Sequence, residues 1–142
     1  MILPDANLLL YTVNTDAIEH PSAFKWWRDL LHSGAEVGIY TGVAFAFIRL
    51  STNRRVFSHP LSVNDAFAYL NNWLSFPAVK WVTDTVEDYR TVETLIKSAG
   101  TASNLVSDAQ IAAVALRLHA TVHSCDTDFD RFPKLNWKNP LN

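Results

Sequence analysis

Residues 105–126 read LVSDAQIAAVALRLHATVHSCD. Apolar side chains occupy nearly every position from Leu105 to Leu118, on all sides of a helical wheel. A helix with that pattern is buried. It runs almost directly into a short strand, residues 121–124, which Asp126 follows. A buried helix feeding a short strand is the unit of an α/β protein with a mostly parallel sheet.

The same alternation extends in both directions. Residues 1–4 read as a first strand, and 6–13 as a helix with Asp5 at its N-cap. Residues 20–32 form an amphipathic helix with Pro21 in its first turn and Gly34 at its end. Its apolar stripe is Phe24, Trp27, Leu30 and Leu31. A strand at 36–40, an apolar helix at 42–52 and a loop at 53–61 follow. Ser62 caps a helix to residue 74, with Asp65 at its third position. A strand at 78–82 precedes a helix at 84–99, which Gly100 stops. A turn at 126–131 and a last short strand at 135–137 close the chain. Most Trp and Phe residues read as core. No repeat or linker divides the sequence, so residues 1–142 read as a single domain with a substantial core.

The chain has 142 residues, 49% of them hydrophobic and 18% charged, an ordinary globular balance. The formal net charge is −2, against a protein that binds nucleic acid through bulk positive charge. It leaves room for an acidic enzyme site with a few local arginines, and Arg49, Arg54 and Arg55 are candidate phosphate contacts. One cysteine, Cys125, excludes an internal disulfide and suits a reducing compartment. The start MILPDANLLL lacks a basic segment, and Asp5 and Asn7 interrupt its apolar run, so it does not read as a signal peptide. No stretch reaches the roughly 18 apolar residues that span a bilayer. A cytoplasmic protein without a membrane partner is expected.

The carboxylates carry the chemistry. Sites in open α/β sheets form beyond the carboxyl ends of the strands. Asp5 follows the first strand and Asp126 the fourth, so parallel strands bring both to one edge. Asp108 shares a stripe of the apolar helix with Leu105, Ala112 and Ala115. A carboxylate there is expensive unless paired, hydrogen-bonded or bound to metal. Each also has a plain structural role: helix N-cap, first-turn anion or turn cap. Together they predict a cation site. Hard oxygen ligands select Mg²⁺ or Mn²⁺, ions that suit phosphodiester hydrolysis. Asp128 and Asp130 read as solvated turn residues. A calcium loop at residues 126–137 fails, because Arg131 stands where glycine is needed and Trp137 where the bidentate glutamate belongs. A helix–strand break separates His119 from His123, against a zinc pair.

Four stretches, LPDANLLLY, FIRLSTNRRVF, NLVSDAQIAAVAL and SCDTDFDRFP, together resemble the PIN-domain toxins of VapC type, in order and across the whole chain. The resemblance implies a three-layer α/β/α fold with a mainly parallel sheet. It implies a Mg²⁺- or Mn²⁺-dependent endoribonuclease, the toxin of a type II toxin–antitoxin pair, dimeric and inhibited by a VapB-type antitoxin. Asp5, Asp108 and Asp126 fall on the family's acidic positions, as metal ligands and catalytic residues. Asp128 matches an additional aspartate, Asn7 a polar residue beside the first acid, and Ser124 a hydroxyl before the last. One departure stands out: where many relatives carry a glutamate upstream of an arginine matching Arg49, this chain has Ala44. That ligand position is left to water, to Asp128 or to a substrate phosphate oxygen.

Two other functions are consistent with the residues. A phosphohydrolase of haloacid-dehalogenase type would use Asp5 as nucleophile, but it wants an acid where Asn7 stands. A non-catalytic RNA- or protein-binding module would account for Ala44.

Overall fold

A computed structural model describes all 142 residues. The elements are β1 (Ile2–Pro4), α1 (Ala6–Val13), α2 (His20–His32), β2 (Val37–Tyr40), α3 (Thr41–Ser51), α4 (Val63–Leu74), β3 (Val79–Val82), α5 (Val86–Ala99), α6 (Leu105–Leu118), β4 (Thr121–His123), a 3₁₀ turn (Thr127–Arg131) and β5 (Trp137–Lys138).

The five strands lie in the order β3-β2-β1-β4-β5, and every neighbouring pair is parallel. Ile2 is in register with Val37 on one side and Thr121 on the other, so β1 is the central strand. Helices cover both faces, and the central strands accordingly carry fully buried Leu3, Val37, Ile39 and Val122. The chain winds outward through β2 to β3, then returns past β1 to β4. Right-handed crossovers put α1–α4 on one face and α5–α6 on the other. This is the expected three-layer α/β/α arrangement. The winding reverses between β1 and β4, and crevices in such sheets open there.

Close packing fixes the strands. At Gly38 a Cβ would stand 2.5 Å from Leu3 Cδ2 and 2.8 Å from Val82 Cγ2, so a larger residue there would force these core side chains to shift. Beneath α2, Trp27 meets the edge of Trp73, ring centroids 5.4 Å apart, and Phe47 meets the same ring at 5.1 Å.

Every expected element is present, with ends that move by a residue or two. The helix expected from residue 84 begins at Val86, because Thr85 caps it. Its Oγ1 accepts from Asp88 N–H, and Asp88 Oδ2 accepts from Thr85 N–H. Not every aromatic is core. Phe24 is 51% exposed, and Phe45 and Trp81 meet edge to face at the surface. The stripe of α2 buries Ala23 and Trp27 instead. No helix is long and apolar enough to cross a membrane.

Candidate metal centre

The carboxyl ends of β1 and β4 are tied together at Asp5. Its backbone N–H donates to His123 O across the strands at 2.8 Å. Its side chain caps α1: Oδ1 accepts from Ala6 N–H at 2.7 Å, while Oδ2 accepts from the Ser124 hydroxyl at 2.7 Å. The capping role and the convergent role are therefore both real. Ser124, fully buried, is the hub. Its Oγ also accepts from Asn7 Nδ2 at 3.2 Å and from Asp126 N–H at 3.0 Å.

Asp126 caps the 3₁₀ turn, and its Oδ1 accepts from Asp128 N–H at 2.8 Å. That turn swings the Asp128 carboxylate round to the Asp126 side. Carboxylate oxygens of Asp108, Asp126 and Asp128 all lie within 4.8 Å of one another. Asp108 reaches them from the first turn of α6.

The electrostatics register the crowding. Asp108 is pushed up to about 7, by burial first and then by the charges of Asp5, Asp126 and Asp128. Burial also raises Asp5, against the opposing bonds from Ser124 and Ala6, and Asp126 adds to the rise. Asp5, Asp108 and Asp126, the three positions singled out in the sequence, thus feel one another, with Asp128 as a further member. The residues alone read Asp128 as a solvated turn residue, while the family resemblance matches it to an additional aspartate. The signal that finds it is the Asp-x-Asp spacing within a turn, where the second N–H folds back onto the first carboxylate. Asp130 departs from the group and accepts from Trp137 Nε1 at 3.0 Å.

The donor set is oxygen only, and Asn7 Oδ1 is buried beside Asp5 and Ser124 without a partner. Clustered carboxylates, an orphaned amide oxygen and a carboxyl raised by burial and by its neighbours all suit a hard divalent cation. The two histidines do not form a metal pair. His119 ends α6 with φ 52°, and buried His123 accepts from Trp26 Nε1 at 3.2 Å. Burial, with Lys138 nearby, lowers His123 to about 4.

Ala44 is buried in the core. The face of α3 nearest Asp5 is instead part of a cavity of about 250 Å³, whose lining includes Asp5, Arg49, Ser107 and Gln110. The largest concavity, about 640 Å³ around Trp26, His123 and Lys138, holds none of the four clustered aspartates.

The sequence profile described as PIN domain matches residues 2–135. This chain belongs to the PIN-domain family. Ribonuclease VapC33 of Mycobacterium tuberculosis is 41% identical to this PIN domain over 141 residues, 99% of each chain. Ribonuclease VapC37 of the same organism is 35% identical over 140 residues, 99% of this chain and 97% of the relative. Among solved structures, a chain of VapBC2 from Rickettsia felis, crystallised with a DNA fragment from their promoter, superposes with a TM-score of 0.70. That match covers 98% of both chains at 18% identity and speaks to the fold of the PIN domain. The VapC resemblance carried by the four sequence stretches extends over the whole chain.

Proposed function

We propose that this PIN domain, a single folded unit, is a divalent-cation-dependent endoribonuclease. The observation that carries the reading is the meeting of Asp108, Asp126 and Asp128 beside Asp5 at the reversal of the sheet. The full-length likeness to two proteins named ribonucleases supports RNA as substrate.

Asp5 and Asp108 are the principal ligands of Mg²⁺ or Mn²⁺, and Asp126 completes the set, with Asp128 beside it. When bound, such a cation activates a water and stabilises charge developing on the phosphoryl oxygens. The residues supply placement. The Ser124 hydroxyl and the Ala6 N–H fix both Asp5 oxygens, so this carboxylate is presented in one orientation. Asn7 donates to Ser124 and keeps a buried, unpartnered oxygen, and as an amide it offers no carboxylic acid for the phosphohydrolase alternative. Asp108 and Asp126 set the negative wall that makes RNA phosphate unwelcome without a cation.

The biological reading is a cytoplasmic toxin, working as a homodimer and restrained by a VapB-type antitoxin. Support comes from the names of the relatives and from the VapBC complexes that share the fold. Asp5→Asn and Asp108→Asn are expected to lose RNA cleavage by at least about a hundredfold in Mg²⁺ or Mn²⁺, and EDTA to abolish it. Unchanged cleavage by both variants sinks the assignment.

A further inference from the structure

The cavity between α3 and α6 shares Asp5 with the metal centre, and the chemistry above assigns nothing to the rest of its lining. From α3 it receives Gly42, Ala46 and Arg49, one helical face at spacings of four and three. From α6 it receives Ser107 and Gln110, three apart on the flank of Asp108. The small residues leave the space open, and the polar ones are exposed to it. Its back wall is firm. The Tyr40 hydroxyl donates to Asp84 at 2.7 Å, and the Tyr40 ring lies where a Cβ on Gly42 would stand 2.6 Å away.

Arg49 is the one cation in this lining. No ion pair engages it. Its acidic neighbour Asp5 accepts from Ala6 and Ser124, and no ion pair joins that carboxylate to the guanidinium. An uncommitted planar fork beside an acidic cleft matches a phosphate, which it can hold through two parallel bonds. A volume of about 250 Å³ falls below that of sites for drug-sized ligands, roughly 300–1,000 Å³, and suits one nucleotide unit.

We infer that this cavity is an RNA subsite, in which Arg49 grips the phosphate of a nucleotide adjoining the cut while Ser107 and Gln110 bond its sugar or base edge. The inference rests on the ribonuclease reading for the position of the cut, not for the binding itself. Arg49 is then a positioning residue for the strand, in the manner of phosphate contacts that set register without reading sequence.

The test uses a short fluorescein-labelled single-stranded RNA of mixed sequence, bound in EDTA and cleaved in Mn²⁺. Arg49→Ala is expected to weaken binding and raise KM by about tenfold, the loss of one charge-assisted contact, with kcat little changed. The salt dependence of its RNA affinity should flatten by about 0.7 in slope, one phosphate on a single strand. Arg49→Lys should fall between, and Gln110→Ala should raise KM a few-fold. Lys97→Ala, a charge removed from the exposed face of α5 outside the cavity, should alter none of these. Arg49 is exposed and unpaired, so the melting temperature should hold; if it drops, Gln110→Ala and Arg49→Lys carry the comparison. Native affinity and salt slope in Arg49→Ala overturn the subsite. So does native RNA binding accompanied by loss of antitoxin capture, which assigns Arg49 to a protein contact. A wild-type protein that never cuts RNA, but loses RNA affinity in Arg49→Ala, leaves the subsite standing and removes the ribonuclease reading.

Discussion

Asp108 stands where a buried helix meets three other carboxylates, and its carboxyl is pushed up to about 7 from an ordinary 3.8. A raised carboxyl favours the folded state most while it is protonated. Its contribution is complete below about pH 4 and is lost as pH rises through about 7. In EDTA, thermal stability should therefore fall between pH 4 and 8. Asp108→Asn should remove that slope and raise stability at pH 8 by about 1–2 kcal/mol, a figure discounted for the half-open site. Melting curves across this range give the answer, and an unchanged slope in the variant denies the crowding. Ser124 presents the opposite case. Its hydroxyl holds Asp5, Asn7 and Asp126 N–H at once, so Ser124→Ala strands three polar groups. Stability should drop by about 2 kcal/mol, and Mn²⁺ affinity by about 10–100-fold in calorimetric titration. Native Mn²⁺ affinity in this variant would reduce Ser124 to a packing residue.

At the level of elements, α5 and α6 depend on one clamp. Asp88 is almost fully buried, caps α5 through Thr85, and meets Arg117 of α6 through Nε and Nη2. Arg117 Nη2 also donates to Thr83 O at 2.9 Å. Burial alone would raise the Asp88 carboxyl; Arg117 and the Thr85 N–H more than offset it, and the net shift is downward. Its stabilisation is present above about pH 4 and is lost as pH falls further, the reverse of Asp108. Asp88→Ala should cost about 2–4 kcal/mol by chemical denaturation at pH 7, since it removes a cap and leaves a partly buried arginine alone. RNA cleavage by the folded fraction should persist. The same elements show what the sequence makes legible. Short apolar runs, the Ser62 cap, and Gly34 and Gly100 stops mark the layers from local rules alone, whereas the Thr85 cap emerges only in the structure. Asp5 and Asp126 are legible because they end strands, and Asp108 because a carboxylate on an apolar helix demands a reason. Asp128 is legible only through its Asp-x-Asp spacing and the family resemblance, because its place beside Asp108 depends on a 3₁₀ turn curling back on Asp126. Phe24 misleads for a related reason, because α2 is rotated by its packing to bury Ala23 and leave the ring half in water.

Across the whole molecule, the acids join segments that are far apart in the chain. Asp5 follows the central strand, Asp108 comes from α6 on one face, and Asp126 and Asp128 come from the turn beyond β4. Their repulsion works against the reversal point of the sheet, while a shared cation would cross-link it. A ligand that binds only the folded state stabilises by mass action, about 2.7 kcal/mol at a hundred times its Kd. For a chain of 142 residues that amounts to a rise of roughly 5–15 °C in melting temperature. Mn²⁺ or Mg²⁺ should therefore raise the melting point at pH 8, and EDTA should reverse the rise. Protonation of Asp108 competes with the cation, so the rise should shrink as pH is lowered through about 7. Asp126→Asn with Asp128→Asn should diminish it at every pH, while Asp88→Ala, remote from the acids, should keep the full metal-induced shift on a lower baseline. A melting temperature indifferent to Mn²⁺ at pH 8 would mean that the four aspartates gather without a cation, and the hydrolytic reading would fall with the metal site.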